Sequence, residues 1–249
     1  MKISKAKIKW VKSLQVKKYR LEEQSFVVQG LKGVTELLKS SFETTLVTGT
    51  PDILDAVRLG APHKKKVEWL EASATVLESM GSFQSNDTVL AVARMREPLI
   101  PVANENKYFL ALDDIRDPGN LGTIIRTADW FGVDQIIASP QTADFYNPKT
   151  ISATMGSFCR VNVFYTDLPS YLNGVTAPVY GAFLNGRNIH HQPFEGGGVV
   201  VIGNESNGIS PAVEQVVRNR IFIPGTGQAE SLNAAIATGI ILDNIFRSK

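Results

Sequence analysis

The apolar residues of this chain fall into short runs separated by polar turns, and the runs change character near residue 105. In the first part, three short runs predict strands at residues 26–28, 45–47 and 88–93, and the segments between them predict helices at residues 31–38, 51–59 and 68–80. Residues 97–106 contain two prolines and no regular apolar spacing, so they predict a linker. We therefore predict a small α/β domain at residues 1–104 and a second domain at residues 105–249.

In the second part the apolar runs are continuous, as expected for strands buried on both faces of a sheet. Six strands are predicted, at residues 108–112, 135–138, 161–165, 179–183, 199–202 and 220–223. Helices are predicted at residues 121–131, 148–155, 210–218 and 231–247. Because strands alternate with helices, the fold class is α/β with a mostly parallel sheet.

The last predicted helix is apolar on more than one side. Ile236 and Ile240 lie on one side, and Ile241 and Ile245 lie on another. A helix at the end of a sheet is covered on one side by its own domain, so the other apolar side requires a further cover. We therefore expect a homodimer, and the alternative is complete burial of this helix within one chain.

The first 20 residues carry eight basic side chains and no acidic one. Residues 1–106 contain 16 basic and 12 acidic side chains, whereas residues 107–249 contain 10 and 12. Ile8, Val11 and Leu14 recur at a spacing that predicts a helix with one docked face. A basic helix on a near-neutral chain indicates a polyanionic partner, although a solvated helix face is the alternative. The RNA-binding candidates are Lys5, Lys7, Lys9, Lys12, Lys17, Lys18 and Arg20.

Composition narrows the class of protein. With 43% hydrophobic and 20% charged residues, the chain is expected to have a packed core. No apolar run is long enough to cross a bilayer, and the N-terminal residues are too charged for a secretory signal. The single cysteine, Cys159, excludes an internal disulfide and a cysteine zinc site, so we interpret it as a buried apolar residue. We expect a cytoplasmic protein with no metal.

Three polar, glycine-containing segments each follow a predicted strand and open into a predicted helix. They lie at residues 120–126, 203–208 and 223–233. The carboxyl ends of parallel strands lie along one edge of a sheet, where ligands bind, so we expect the three segments to meet in one crevice.

The common nucleotide-binding signatures are absent from the sequence. There is no Walker A loop, and the glycines at positions 225 and 227 begin a segment that departs from the dinucleotide fingerprint. Glu230 stands where that fingerprint requires a small residue, and its carboxylate would repel a pyrophosphate at a helix N-terminus. A nicotinamide-dependent enzyme is therefore disfavoured.

Together the three segments resemble the motifs of the SpoU/TrmH family of RNA ribose 2′-O-methyltransferases, within the knotted SPOUT class. The matching patterns are Asn120-x-Gly122-x-x-x-Arg126, Gly203-x-Glu205-x-x-Gly208 and Ile223-Pro224-x-x-Gly227-x-x-x-Ser231-Leu232-Asn233. The resemblance covers roughly residues 107–249. Residues 1–104 resemble, more loosely, the ribosomal-protein-like RNA-binding domain that many members carry. Gly225 departs from the family's common methionine, and Ala234-Ala235 replaces a frequent Val-Ser pair.

The resemblance implies a trefoil knot that holds S-adenosyl-L-methionine in a bent shape, largely through main-chain groups. The implied cofactor-binding residues are Gly203, Ile223, Leu232, Ala182, Phe183, Leu184, Pro224 and Gly227. The residue types agree, because Ile223, Pro224 and Leu232 can line an apolar slot for adenine and glycines allow close approach of the main chain. The implied catalytic residues are Asn120, Arg126, Glu205, Ser231 and Asn233.

The acceptor, a ribose 2′-hydroxyl, is a very weak acid, so the enzyme must align it and ease the loss of its proton. Arg126 is the family's matching candidate. Either a deprotonated guanidine accepts the proton, or the charged guanidinium stabilises the developing alkoxide; an arginine pKa above about 12 favours the second. Glu205 is either a satisfied structural acceptor or orients Arg126. Ser231 is predicted to cap the last helix, with Asn233 in its first turn, and residues 117–120 read as a helix-capping sequence.

The predicted function is therefore S-adenosylmethionine-dependent 2′-O-methylation of structured RNA by a cytoplasmic homodimer. Ribosomal RNA is favoured over transfer RNA, because the first domain resembles that of members with large substrates. One alternative is a ribosome-assembly protein that binds RNA without catalysis, but the motif residues are intact. Another is a small-molecule α/β enzyme, which would not explain the basic N-terminal end.

Overall fold

The computed structural model of the protein describes residues 1–61, 66–81, 88–97, 99–104 and 106–247. The chain divides into two compact units. One contains Met1–Glu97 and Tyr146–Cys159, and the other contains Pro98–Phe145 and Arg160–Lys249. The segment Tyr146–Cys159 thus belongs to the first unit, although it lies within the predicted second domain. Pro98 and Glu105 of the predicted linker lie outside the described residues.

The first unit is built on a four-stranded mixed sheet. Its strands are Ser25–Gln29 (β1), Thr44–Gly49 (β2), Glu68–Glu71 (β3) and Val89–Arg94 (β4), in the order β1-β4-β2-β3. Strand β4 is antiparallel to β1 and β2, whereas β2 and β3 are parallel. The helices are Lys5–Ser13 (α1), Lys17–Glu23 (α2), Leu31–Lys39 (α3), Pro51–Leu59 (α4), Ala74–Met80 (α5) and, from the later segment, Pro148–Ala153 (α7).

Helix α1 confirms the docked helix predicted at the N-terminus. The Ser4 hydroxyl caps it by accepting from the Lys7 N–H at 3.3 Å. Val11 and Leu14 are fully buried in a cluster with Leu77 and Met80 of α5. Burial of one apolar face keeps α1 on the sheet and leaves its lysines outside.

The helix predicted at residues 68–80 is wrong, because the segment divides into β3 and α5. Residues 68–71 pair with β2 from Leu46 to Gly49, and Leu70 is buried in the core. The Ser73 hydroxyl then caps α5 by accepting from the Val76 N–H. Pairing with a strand more than 20 residues away overrides the local apolar spacing.

The second unit contains a six-stranded sheet in which every pairing is parallel, which confirms the predicted α/β class. Its strands are Tyr108–Leu112 (β5), Gln135–Ala138 (β6), Asn162–Tyr165 (β7), Val179–Asn188 (β8), Gly198–Ile202 (β9) and Asn219–Phe222 (β10). The order is β10-β8-β9-β5-β6-β7. The helices are Pro118–Trp130 (α6), Leu168–Asn173 (α8), Pro211–Glu214 (α9) and Ala234–Phe246 (α10).

The register of the two central strands positions the polar motifs. All residues of β5 and β9 are buried, and Leu112 pairs with Ile202 at their carboxyl ends. The loop that leads to α6 and the turn that follows β9 therefore leave the sheet side by side.

Several predicted boundaries in this unit need correction. The helix predicted at residues 210–218 ends at Glu214, and Ser210 makes no side-chain cap hydrogen bond. Helix α8, capped by Asp167, was not predicted. Cys159, in the first unit, is half-buried rather than buried. Across the described ranges, the protein has no helix with the length and apolar character that a bilayer span requires.

Candidate functional site

An open cavity of about 1310 Å³ lies at the carboxyl edge of β8, β9 and β10. Its walls come from β8, the turn after β9, the segment after β10, and α10. All eight residues predicted to bind a cofactor line it: Ala182, Phe183, Leu184, Gly203, Ile223, Pro224, Gly227 and Leu232. Segments separated by up to 50 residues therefore meet at one edge of the sheet, as parallel strands require.

The turn after β9 is closed by main-chain hydrogen bonds. The Asn204 N–H donates to the Gly208 carbonyl at 3.0 Å, and the Gly208 N–H donates back at 2.8 Å. The Asn204 Oδ1 accepts from the N–H groups of Ser206 and Asn207. A Cβ at Gly203 would lie 2.3 Å from the Gly208 carbonyl carbon, so only glycine permits this closure. The closed turn holds Glu205 at the cavity wall.

A chain of hydrogen bonds joins the three motifs. The Glu205 carboxylate accepts a short hydrogen bond from the Asn120 Nδ2. The Asn120 Oδ1 accepts from the Asn233 Nδ2 at 3.0 Å. The Asn233 Oδ1 accepts from the main-chain N–H groups of Ala235 and Ile236 at 3.0 and 3.3 Å. Side chains from the first turn of α6, the turn after β9 and the start of α10 therefore form one connected polar unit.

The structure confirms the capping sequence predicted at the start of α6 and corrects the predicted cap of α10. Asn233, not Ser231, caps α10, and Ser231 instead lines the cavity. The cap of α6 is Asp117, whose carboxylate accepts from the Asn120 N–H at 2.9 Å. The Asn120 side chain is therefore not needed for capping and is free to join Glu205 to Asn233.

Within one chain, Arg126 makes no hydrogen bond with the connected side chains of Glu205, Asn120 and Asn233. It is exposed on α6, is not among the cavity-lining residues, and makes no hydrogen bond or ion pair with any described residue. The prediction that Glu205 orients Arg126 has no support in these contacts, because the Glu205 carboxylate is bonded to Asn120.

The cavity has the chemical character that an adenosine-containing ligand requires. Large apolar side chains face it, with Leu184 79% exposed and Leu232 45% exposed. Residues 225–232 make no backbone hydrogen bond with any part of the chain that the structure describes. Apolar walls beside unbonded main-chain groups can accept a purine ring and its polar edge.

One wall of the cavity is held by Arg220, which no local pattern in the sequence indicates. Its guanidinium carbon lies 3.7 Å from the centre of the Phe183 ring. It also donates to the Asn185 Oδ1 at 2.8 Å and pairs with Glu214. These contacts join β10 to the exposed end of β8 and fix the position of the Phe183 ring.

Two acidic residues after β5, Asp113 and Asp114, are a second feature that the motifs did not include. The buried Asp113 carboxylate accepts from the Ser210 N–H at 2.7 Å. Asp114 has a positive φ of 61° and accepts from the Arg116 Nε at 2.7 Å. This hydrogen bond and the charge of Asp114 raise the pKa of the Arg116 guanidinium. A pair of acids directly after a buried strand is the sequence signal that marks this loop.

The basic N-terminal candidates separate into distinct groups in the first unit. Lys5, Lys9 and Lys12 are exposed, as are Lys17 and Lys18, with Lys18 near Glu22 at 3.8 Å. Lys7 pairs with Glu68. Arg20 is only 2% exposed, and its Nη1 donates to the carbonyls of Leu14 and Gln15, both at 2.9 Å. Its assignment to the RNA-binding surface is therefore corrected, because a buried guanidinium bonded to carbonyls is not accessible to a phosphate.

Among the described residues, no group of three or more histidine, cysteine or carboxylate side chains is arranged so that it could hold a metal ion.

Comparisons with known proteins give consistent results. The model of the SpoU rRNA Methylase family matches residues 107–243, and the model of the MRM3-like substrate binding domain matches residues 5–91. The 23S rRNA (guanosine(2553)-2′-O)-methyltransferase RlmP of Bacillus subtilis (strain 168) is 31% identical over 240 residues, which cover 95% of this chain and 94% of that protein.

Two solved structures are similar over the whole chain. A TrmH-family protein from Porphyromonas gingivalis has 33% identity and a TM-score of 0.87, with 100% of both chains covered. An rRNA methyltransferase from Sinorhizobium meliloti, solved with bound AdoMet, has 29% identity and a TM-score of 0.88, with 100% of this chain and 97% of that one covered.

Proposed function

Because the chain belongs to the SpoU rRNA methylase family, we propose that it transfers a methyl group from S-adenosyl-L-methionine to a ribose 2′-hydroxyl in structured RNA, and that ribosomal RNA is the substrate. The observation that carries this proposal is the hydrogen-bonded unit of Glu205, Asn120 and Asn233 beside a cavity lined by all the predicted cofactor residues. RlmP, by its name, acts on 23S rRNA, which favours ribosomal over transfer RNA.

The cavity residues fit S-adenosylmethionine, which supplies a methyl group activated by its sulfonium. Ile223 and Leu232 would hold the adenine ring by apolar contact, and the unbonded main-chain groups of residues 225–232 would bind its polar atoms. Arg220 keeps the Phe183 ring in the wall formed by β8. The main task left to the protein is to align the acceptor hydroxyl and ease the loss of its proton.

The hydrogen-bonded unit gives Glu205 a defined orientation. Two helix N–H groups hold the Asn233 Oδ1, so its Nδ2 faces Asn120 and the Asn120 Nδ2 faces Glu205. Such preorganisation costs no rearrangement when the ribose binds. Glu205 would then accept a hydrogen bond at the cavity wall and orient the substrate.

Arg126 is proposed to act on the 2′-hydroxyl as a charged stabiliser of the developing alkoxide while the hydroxyl proton leaves by another route, to solvent water; the alternative is that a deprotonated Arg126 accepts this proton. It does not line the cavity of its own chain, so we propose that it acts at the cavity of a second copy. Homodimer formation is supported by two exposed apolar side chains on the contacting helices α6 and α10, Trp130 at 84% and Ile236 at 56% exposure.

The dimer is tested by sedimentation velocity. We expect twice the chain mass of 27.2 kDa, and we expect Ile236→Asp to shift the protein towards the monomer. Leu59→Asp, which changes an exposed leucine of the first unit, is the matched control and should not change the mass. A monomeric wild-type protein at micromolar concentration would contradict the proposal.

We also propose the trefoil knot that the family resemblance implies and a cytoplasmic location. The return of the chain to one cavity after both β9 and β10 supports the knot, and the single cysteine supports a reducing compartment. Stretching a single unfolded molecule from its two ends should give a contour length shorter than the roughly 3.3–3.6 Å per residue of an unknotted chain. Cell fractionation tests the location.

The reaction itself is tested with labelled S-adenosylmethionine and total RNA from a strain that lacks the protein. After digestion to nucleosides, we expect the label in a 2′-O-methylnucleoside, and sizing of the intact RNA should place it in ribosomal RNA. Label in transfer RNA would correct the substrate. Cofactor and RNA binding without any methyl transfer would instead support the non-catalytic RNA-binding alternative.

Arg126→Ala is expected to lower the turnover number by about 100-fold or more, because loss of one transition-state donor typically has this effect. Cofactor affinity by calorimetry should stay within a few-fold. Arg126→Lys should retain part of the activity if the charge is what matters. Arg247→Ala, an exposed arginine paired with Asp243, is the control. Full activity of the Arg126→Ala enzyme would remove the residue from this role.

A further inference from the structure

The loop at residues 113–117, between β5 and α6, is held rigidly by contacts on both sides. The Asp114 N–H donates to the Ser139 Oγ at 2.9 Å, and the Asp114 carbonyl accepts from the Asn204 Nδ2 at 2.8 Å. The Ile115 N–H donates to the Thr142 Oγ1 at 3.3 Å. These contacts keep Asp114 at its positive φ of 61°, a conformation that few residues other than glycine adopt. Strained backbone of this kind is often retained at binding sites.

The strained backbone points the Asp114 side chain at Arg116. The Arg116 Nε donates to the Asp114 Oδ1 at 2.7 Å, so the carboxylate occupies one edge of the guanidinium. The Arg116 side chain is 68% exposed, and its two terminal nitrogens make no hydrogen bond with any residue that the structure describes. The result is an arginine held in one orientation with its donor-rich end presented to solvent.

Arg116 also lies beside the catalytic motifs. It directly precedes Asp117, the cap of α6, and its loop is bonded to Asn204, the neighbour of Glu205. It is not among the residues that line the cavity. A ligand that contacts Arg116 would therefore lie next to the hydrogen-bonded unit rather than inside the cofactor cavity.

We propose that Arg116 binds a backbone phosphate of the RNA strand that carries the target ribose, and so positions the 2′-hydroxyl. This inference rests on the proposed function. A guanidinium with two free terminal nitrogens matches the bidentate geometry of a phosphate. Each ribose is covalently joined to two phosphates, so fixing one restricts the position of its hydroxyl. Phosphate contacts of this type set register without reading the base.

The test compares wild-type and Arg116→Gln proteins with ribosomal RNA extracted from a strain that lacks the protein. We expect KM for RNA to rise by about tenfold or more, the range for loss of a hydrogen bond to a charged group. The turnover number should change little, and the affinity for S-adenosylmethionine should stay within twofold. The slope of log RNA affinity against log salt should fall by about 0.7–0.9, the contribution of one phosphate.

Two further variants separate a phosphate contact from a structural role. Arg116→Lys keeps the charge, so it should restore the salt slope while restoring only part of KM. Asp114→Asn replaces the carboxylate beside Arg116 with a neutral group that can still accept a hydrogen bond. The charge of Arg116 itself is kept, so the salt slope should stay as in the wild type. Arg247→Gln, an exposed arginine paired with a carboxylate four residues away, should leave both quantities unchanged.

Two results would overturn the inference. In one, Arg116→Gln has the KM and salt slope of the wild type. In the other, it weakens S-adenosylmethionine binding but not RNA binding, which would assign the guanidinium to the carboxylate of the cofactor. Failure of the proposed function is distinct, because the wild-type protein would then methylate no RNA; the salt slope of RNA binding would still test Arg116.

Discussion

At the scale of single residues, Asn233 makes two different kinds of hydrogen bond. Its Oδ1 accepts from two main-chain N–H groups at the start of α10, and its Nδ2 donates to Asn120. The first kind stabilises the helix, and the second contributes to the candidate catalytic site. Different substitutions at this position should therefore separate the two contributions.

Asn233→Ala removes both contributions, so it should destabilise the protein by about 1 kcal/mol through loss of the cap and should also lose activity. Asn233→Asp keeps a capping oxygen but loses the donor to Asn120 and brings a second carboxylate towards Glu205. It should therefore unfold near the wild-type temperature while its methyl transfer falls as far as that of the alanine variant. Thermal unfolding and turnover measured on the same preparations check this. An active aspartate variant would show that the Asn120 contact is dispensable.

Gly203 and Gly227 both line the cavity but differ in the space around them. A Cβ at Gly203 would lie 2.3 Å from the Gly208 carbonyl carbon and 2.4 Å from the Ile209 nitrogen, whereas one at Gly227 would meet nothing within 4 Å. Gly203→Ala should therefore open the turn after β9, lower the unfolding temperature and weaken cofactor binding. Gly227→Ala is the matched control and should fold like the wild type. Equal unfolding temperatures for the two variants would contradict this reading of the turn.

At the scale of secondary-structure elements, α1 divides its residues between the core and the solvent. Val11 is buried, while Lys5, Lys9 and Lys12 are exposed at positions i, i+4 and i+7, which share one helix face. Lys7 lies off this face and is neutralised by Glu68. Three lysines in a row on one helix face, none of which pairs with a carboxylate among the described residues, suit contact with successive phosphates.

Replacing Lys5, Lys9 and Lys12 together by glutamine should weaken RNA binding and reduce its salt slope by about 2, because each phosphate contact contributes about 0.7–0.9. Thermal stability should change little, since all three side chains are exposed. Lys32→Gln combined with Lys39→Gln, on the exposed side of α3, is the control for a general loss of charge. Filter binding at several salt concentrations measures both effects. An unchanged salt slope of RNA binding in the triple variant would show that this helix face does not contact the RNA and serves only to keep the protein in solution.

Elements also differ in how far local sequence determines them. Helix α4 has the predicted bounds, because Pro51 starts it and its apolar spacing is regular. The local pattern predicts helix where strand β3 forms, because the identity of β3 depends on pairing with β2. Helix α10 begins three residues later than predicted, because the Asn233 side chain caps its first turn.

At the scale of the whole molecule, the parallel sheet of the second unit buries Tyr108. Its hydroxyl donates to the Glu195 carbonyl at 3.5 Å, and its ring packs edge-on against Phe246. Burial, with a smaller contribution from Tyr180, raises the pKa of Tyr108 from 10.0 to about 12. The pKa of Tyr108 is higher in the folded than in the unfolded protein. The contribution of Tyr108 to stability is therefore fully present below pH 10 and is lost as the pH rises towards 12.

Tyr108→Phe should therefore make stability less dependent on pH between 10 and 12, while having little effect on the dependence between pH 7 and 9. Urea unfolding at several alkaline pH values measures the difference from the wild type. Tyr19→Phe, which changes an exposed tyrosine of the first unit, is the control and should behave like the wild type throughout. If the wild type and the Tyr108→Phe variant lost the same amount of stability between pH 10 and 12, burial of Tyr108 would not be the cause of the pH dependence.

The sequence alone determined the six strands of the second unit and their parallel arrangement, and its resemblance to the SpoU/TrmH family implied eight of the residues that line the cavity. The strand information is local, since continuous apolar runs identify buried strands and the polar residues that follow them must lie at one edge of the sheet. Only the tertiary structure decided which side chains meet there. The contacts of Asn120 with Glu205 and Asn233 join residues 85 and 113 positions apart. The place of Tyr146–Cys159 in the first unit likewise depends on distant packing. Local periodicity carries the direction of a side chain within its own element, whereas its partner depends on which elements the folded chain brings together.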